Sequence, residues 1–126
     1  SRPKVLALLD WELATLGHPL ADIAYQCMQW RVPHNSTMSG LGGLDRKEFG
    51  IPTESAYVSS YCESRNCAGP DNWTFYLLFS YFRLAAILQG VVRRAIDGNG
   101  SNPEIARTYE KSIPILIGQA NKILGR

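Results

Sequence analysis

The sequence contains few of the residues that build catalytic clusters of histidine or cysteine. It has two histidines and three cysteines among 126 residues, and its formal net charge at pH 7 is +2. Cys62 and Cys67 lie five positions apart, with no second pair and no nearby histidine, so their spacing does not indicate a zinc site. A charge this small, without a basic stripe interleaved with aromatic residues, argues against nucleic-acid binding.

The odd number of cysteines favours reduced thiols, which are typical of an intracellular, cytoplasmic protein. His18 lies between a glycine and a proline, where a positional role is more plausible than that of a base. His34 lies in a glycine-rich segment without an evident partner, so no Ser/His/Asp or Cys/His arrangement is indicated. Hydrophobic residues make up 45% of the chain, which suffices for the core of one domain.

The amino-terminal segment carries the most informative pattern. Five apolar residues, Val5–Leu9, run directly into Asp10 and are followed by Trp11 and Glu12. Such a run predicts a strand at residues 4–9 that is covered on both faces. A carboxylate at the end of a rigid strand can hold a divalent metal or a positively charged partner. The alternative, that Asp10 and Glu12 only cap the next turn, has about equal weight from spacing alone.

The stretch Leu9–Tyr25 resembles a signature of the aminoglycoside phosphotransferase and choline kinase-like family. It is most similar to the kinase-like domain that precedes the dehydrogenase part in acyl-CoA dehydrogenase family members ten and eleven, and to its free-standing bacterial relatives. Two later stretches, Ser80–Ile87 and Gln89–Val91, agree with this resemblance. The resemblance therefore extends over most of the chain.

The resemblance implies roles for three carboxylates. Asp10 corresponds to the aspartate that binds Mg²⁺ beneath the phosphates of ATP, and magnesium prefers such oxygen ligands together with phosphate oxygens. Glu12 would lie on the same side as Asp10 if the strand continued, and could complete the metal shell or bind its waters. Asp22 resembles a buried aspartate that braces the catalytic loop without touching the substrate.

The catalytic loop that the family places before the metal aspartate is not found in these residues. Its pattern is His-x-Asp-x-x-x-x-Asn, whereas the nine residues before Asp10 contain no histidine, no asparagine and no other aspartate. The lobe with the nucleotide-contacting lysine would lie still further upstream. We therefore expect residues 1–126 to be a carboxyl-terminal lobe fragment of a kinase-like phosphotransferase domain, inactive alone because it has no general base or phosphate clamp.

The expected fold is mainly α, namely the helical carboxyl-terminal lobe of a protein kinase-like fold with one or two residual strands at the amino terminus. Periodicity and breakers predict helices at 19–30, from 53 or 55 up to a break at 67–70, from 71 or 72 to 97, and from 103 onwards. Pro114 should kink or split the last helix. Residues 31–52 form a long loop, which is either a substrate-contacting segment on the acceptor side or a variable disordered insert.

The longest helix could span a membrane by length alone, since Trp73–Val92 is largely apolar. Arg83 in its middle would be costly in lipid, so a buried helix of an all-helical lobe is the favoured interpretation. Arg83 should then pair with an acidic group, with Asp22 or Glu12 as candidates. Arg94 near its end either complements the helix dipole, as favoured, or meets an anionic substrate such as a coenzyme A phosphate. Together with Trp30, these two arginines are the weak candidates for substrate binding.

The function that the resemblance implies is ATP- and Mg²⁺-dependent phosphorylation of a hydroxyl on a small molecule. The acceptor would be a hydroxyacyl thioester rather than an aminoglycoside, and the partners are the nucleotide and this acceptor. Two other functions stay open. One is a catalytically dead kinase-like binding module, and the other is a helical interaction domain in which Asp10 is only a turn residue.

Overall fold

The computed structural model describes residues 3–12, 14–100 and 102–126, which form helices joined by loops. The helices are α1 (Pro19–Cys27), a short 3₁₀ helix (Met28–Trp30), α2 (Glu54–Arg65), α3 (Trp73–Ile96) and α4 (Pro103–Ile123). This mostly helical architecture confirms the predicted fold class.

Local side-chain caps fix the first turns of three helices. The Nδ1 atom of His18 accepts a hydrogen bond from the Leu20 N–H over 3.3 Å, and the Thr53 hydroxyl accepts one from the Ala56 N–H over 3.1 Å. The Asn102 side chain accepts from two backbone N–H groups of α4. These contacts satisfy donors that have no partner inside a helix. The positional role predicted for His18 is thereby confirmed.

The predicted strand at residues 4–9 is wrong. Those residues are irregular, and the described parts of the chain contain no strand, only an isolated bridge between Pro33 and Gly42. Val5 is 84% exposed and Leu9 is also 84% exposed. A strand needs a neighbouring strand to satisfy its backbone N–H and C=O groups. An apolar run alone does not supply that neighbour.

Two clusters of buried side chains form the core. The first cluster joins α1, α2 and α3 and contains Ala24, Cys27, Val58, Cys62 and Leu77. The second cluster joins α3, α4 and the 3₁₀ helix and contains Met28, Val32, Tyr81, Leu88 and Leu116.

Tyr81 ties the second cluster to the backbone of the 3₁₀ helix. Its hydroxyl donates to the Met28 carbonyl over 3.2 Å in a buried position. Burial raises the pKa of Tyr81 to about 12, because the phenolate form would lose its hydration. The side chain therefore acts as a neutral hydrogen-bond donor inside the core.

Pro114 lies inside α4, yet the helix continues unbroken from Pro103 to Ile123. Residues on both sides of the proline, Tyr109 and Leu116 among them, belong to or pack against the second cluster. Packing along α3 on either side of Pro114 stabilises the helix against the lost backbone hydrogen bond. Of the two predicted effects of Pro114, the split is therefore wrong, and the kink stays a prediction.

The segment 31–52 is a compact loop rather than a disordered insert. Gly40 lies so close to Val32 that a Cβ at position 40 would come within 2.3 Å of the Val32 carbonyl oxygen. The Thr37 hydroxyl lies 2.9 Å from the Ser112 hydroxyl of α4. The close approach of the backbones requires glycine at position 40, and the hydroxyl contact fixes the loop against the helices.

The two faces of α3 differ. One face is buried in the two clusters, while the other exposes Phe75, Phe79, Phe82 and Ile87, with Phe82 71% exposed. Within the described residues, α3 is also the one helix whose length and mean hydropathy of 1.6 would suffice to cross a membrane. A core helix can satisfy the same criteria. The favoured interpretation, a fully buried central helix, is therefore correct for one face only.

Leu116 and Ile117 are adjacent on α4 and provide a matched test of the second cluster. Leu116 is 0% exposed and Ile117 is 52% exposed. We expect Leu116→Ala to lower the free energy of unfolding by about 2–5 kcal/mol because it leaves a cavity. Ile117→Ala should cost about 1 kcal/mol or less. Urea denaturation of both variants measures the difference, and equal losses would contradict the proposed packing.

Candidate functional site

The backbone has a left-handed conformation at Asp10, directly before a turn. Asp10 has a φ of 69°, in the left-handed region, and its side chain is exposed. On either side of it, the Trp11 indole N–H donates to the Leu8 carbonyl over 2.7 Å, and the Ala14 N–H donates to the Trp11 carbonyl over 2.9 Å. Asp10 thus directly precedes the turn and does not lie at the end of a strand.

The left-handed backbone of Asp10 is unusual for a residue with a side chain. Aspartate tolerates this conformation better than most residues because its short polar side chain can interact locally. Within the described residues, however, the Asp10 carboxylate takes part in none of the side-chain hydrogen bonds or ion pairs. Local turn bonding does not occupy its oxygens, so they are accessible to a ligand.

The argument that placed Glu12 beside Asp10 does not hold, since it required a continuing strand. Glu12 is exposed, and the described residues contain no group of three or more His, Cys, Asp or Glu side chains that could hold a metal. Magnesium sites commonly use one or two carboxylates with phosphate oxygens and waters. The exposed carboxylates of Asp10 and Glu12 are oxygen donors of the kind that such sites use.

Asp22 lies in the first turn of α1 and is exposed. The resemblance implies a buried aspartate, and the structure does not provide that burial. A carboxylate in this position interacts favourably with the positive end of the α1 dipole. Its predicted bracing role concerns a loop that this sequence does not contain.

Arg83 contacts an aromatic ring and not a carboxylate. Its guanidinium carbon lies 4.4 Å from the centre of the Tyr25 ring. Neither Asp22 nor Glu12 pairs with it among the described ion pairs, so the predicted acidic partner is wrong. Arg83 is half-buried, and a cation above an aromatic face needs no full ion pair to be stable there.

Arg83 and Arg94, two of the candidate substrate-binding residues, line the same shallow cavity. The cavity measures about 480 Å³ and lies along the exposed face of α3, with Phe79, Phe82 and Ile87 among its apolar walls. Neighbouring Arg93 instead pairs with Asp97 over 2.9 Å. The arrangement offers two cations beside an apolar surface, which suits a ligand with both anionic and apolar parts.

Trp30, the third candidate, is held by structural contacts. Its indole N–H donates to the Pro52 carbonyl over 2.9 Å, and its ring centre lies 5.1 Å from that of Tyr57. These contacts use its single hydrogen-bond donor. Trp30 therefore has a structural role, since it binds the backbone just before the start of α2.

Sequence reasoning missed the polar cluster around Glu54. The Glu54 carboxylate pairs with Arg31 and also accepts a hydrogen bond from the Trp73 indole N–H over 2.6 Å. Together these three residues line a cavity of about 480 Å³. Arg31 and Glu54 are 23 positions apart, so no local spacing could have indicated the pair.

His34 also has a partner that the sequence did not reveal. Its Nδ1 atom lies 3.0 Å from the Gly42 carbonyl oxygen, and its backbone N–H donates to the same oxygen over 2.9 Å. Both contacts close the base of the compact loop. His34 thus has a local structural role.

Comparisons with known proteins give a structural neighbour with a phosphotransferase name and several curated relatives. No family model matches the chain. A crystal structure from Ralstonia eutropha, provisionally assigned as an aminoglycoside phosphotransferase, superimposes with a TM-score of 0.85 and 38% identity. The alignment covers 99% of this chain and 38% of that chain. The chain therefore has the fold of the corresponding part of a kinase-like phosphotransferase.

The curated relatives belong to a narrower group of proteins. Acyl-CoA dehydrogenase family member 10 of Mus musculus is 45% identical over 102 residues, which are 80% of this chain and 10% of that protein. Acyl-CoA dehydrogenase family member 11 of Homo sapiens is 41% identical over 103 residues, or 80% of this chain and 13% of that protein. The chain is thus a homologue of one region of family members 10 and 11, and the recognised resemblance is confirmed. It spans about a tenth to a seventh of the curated relatives' length.

The Glu54 cluster can be tested against an exposed ion pair. Glu54→Gln removes the charge that partners Arg31, whose side chain is 31% exposed against 17% for Glu54. We expect a loss of about 1–3 kcal/mol in the free energy of unfolding, because a half-buried cation is left without its counterion. Asp97→Asn, which breaks the exposed pair with Arg93, should cost at most about 0.5 kcal/mol. Equal effects in denaturation experiments would contradict this ranking.

Proposed function

We propose that this chain is the carboxyl-terminal helical part of an ATP- and Mg²⁺-dependent phosphotransferase that phosphorylates a hydroxyl group on a small molecule. The observation that carries the proposal is the alignment with a provisionally assigned aminoglycoside phosphotransferase at 38% identity over 99% of the chain. Homology to family members 10 and 11 supports the same domain type at 45% and 41% identity.

In this proposal Asp10 is the residue that holds the metal. Its exposed carboxylate lies at a residue with left-handed backbone, directly before a turn, and its oxygens are not used by the described neighbours. Bound Mg²⁺ would offset the negative charge that develops on the phosphates during transfer. Glu12 assists by accepting hydrogen bonds from the metal's waters. Asp22 at the start of α1 braces the loop that carries the general base.

The general base and the phosphate clamp lie outside the 126 residues. The full pattern His-x-Asp-x-x-x-x-Asn does not occur in the sequence, and Asp97 and Asn102, which have the aspartate–asparagine spacing, follow Asp10 and have Ala95 in the histidine position. The chain alone is accordingly proposed to be inactive. Its contribution to the enzyme is one metal ligand and the helical body on which an acceptor can bind.

We propose a hydroxyacyl thioester as the acceptor. The cavity along α3 supports this, since Arg83 and Arg94 border an apolar surface formed by Phe79, Phe82 and Ile87. An acyl chain would bury apolar area against the aromatic rings, while the arginines would meet phosphate groups of the thioester's carrier. An aminoglycoside is polycationic, and two arginines would repel it.

Asp10 provides the decisive test. We expect Asp10→Asn in the full-length protein to lower Mg²⁺-dependent ATP turnover at least about a hundredfold, because the metal's charge stabilisation is worth several kcal/mol. Asparagine also tolerates the left-handed backbone, so the local backbone conformation should be kept. The measurement is kcat for ATP consumption with a hydroxyacyl thioester as acceptor.

Glu63→Gln is the matched control, since Glu63 is an exposed carboxylate on α2 and should leave turnover unchanged. Full turnover by Asp10→Asn would remove Asp10 from the site. Absence of turnover in the unaltered full-length protein, with nucleotide binding retained, would favour the catalytically dead binding module instead.

A further inference from the structure

Cys62 and Cys67 lie side by side at the carboxyl-terminal end of α2. The chain leaves the helix through Asn66, whose φ of 49° is in the left-handed region. The Cys67 N–H then donates to the Cys62 carbonyl over 3.0 Å, and the Asn66 N–H donates to the Glu63 carbonyl over 3.1 Å. These two hydrogen bonds form a Schellman motif. In this motif the residue after the left-handed one packs close to the residue five positions before it. The backbone bond between Cys67 and Cys62 brings the two cysteines next to each other.

The two cysteines have different surroundings. Cys67 is exposed, whereas Cys62 is buried in the first cluster, and both are free thiols. Burial and the contact with Cys67 raise the pKa of the Cys62 thiol, so it stays protonated at neutral pH. An oxidant in solution therefore meets Cys67 first, with a second sulfur already beside it.

We propose that Cys62 and Cys67 form a reversible disulfide, which makes the end of α2 a site of oxidative modification. A hydroperoxide oxidises Cys67 to a sulfenic acid, its O–O bond breaks, and its other oxygen leaves as water or an alcohol. The Cys62 sulfur then attacks the Cys67 sulfur. The S–S bond forms, the S–O bond breaks, and water leaves with the Cys62 proton. A dithiol reductant returns two electrons and two protons and restores both thiols.

The position of the pair gives the disulfide a structural consequence. Cys67 lines a cavity of about 340 Å³ together with His18, the cap of α1, and Tyr76 of α3. His18 and Tyr76 are stacked, with ring centres 5.2 Å apart. A bond from Cys67 to Cys62 fixes this wall of the cavity to α2. Because the bond closes a short, exposed loop, it is of the labile kind that reductants reverse readily.

Trypsin cleavage sites in the sequence allow a direct test of the disulfide. Arg65 lies between the two cysteines, so trypsin separates them into peptides 48–65 and 66–83. The full-length protein is treated with hydrogen peroxide, alkylated in denaturant and digested without reduction. We expect most of peptide 66–83 to appear joined to peptide 48–65 in the mass spectrum, and to separate after dithiothreitol.

Cys27 serves as an internal reference on peptide 5–31. It is 0% exposed, and burial raises its pKa to about 12, so it should remain reduced and be alkylated throughout. Cys67→Ser, a change at an exposed position, should abolish the joined peptides, while Cys27→Ala should keep them. The proposal is overturned if oxidised protein yields the two peptides separately, or if Cys67 accumulates as sulfinic acid with Cys62 still reduced.

Discussion

The Glu54 carboxylate joins three segments that are distant in sequence. One oxygen pairs with Arg31, just after the 3₁₀ helix, and the other accepts from the Trp73 indole at the start of α3. The Trp30 indole N–H donates a further hydrogen bond to the Pro52 carbonyl, just before α2. α2 has only two buried residues, Val58 and Cys62, so its apolar packing is limited. The position of α2, and of the loops at both its ends, therefore depends strongly on this polar contact.

The surface of the chain is asymmetric. The two core clusters bury one face of α3, whereas the opposite face carries aromatic rings and the cavity bordered by Arg83 and Arg94. The segment Val5–Leu9 is likewise exposed and apolar. Our proposal that the chain is one part of a kinase-like enzyme accounts for these surfaces, because the remaining part of such an enzyme would supply apolar contacts.

Local signals sufficed to predict most helices. Thr53, Pro103 and the glycines after Asp97 act within a few residues, and the observed boundaries of α2, α3 and α4 follow them closely. Features that depend on distant partners could not be predicted. The strand at 4–9 required a neighbour, and the partner of Arg83 proved to be an aromatic ring. At the candidate site, sequence resemblance singled out Asp10, but no spacing rule could have predicted the left-handed backbone conformation of this residue.

The three tryptophans occupy environments that differ in an experimentally useful way. Trp30 and Trp73 are half-buried, and both indoles are hydrogen-bonded at the start of α2. Trp11 is 64% exposed and adjoins Asp10. We therefore expect the intrinsic fluorescence of this chain to contain two separable contributions, a red-shifted, quencher-accessible emission from Trp11 and a more shielded emission from Trp30 and Trp73. Changes in the surroundings of Asp10 can therefore be followed optically without an attached dye.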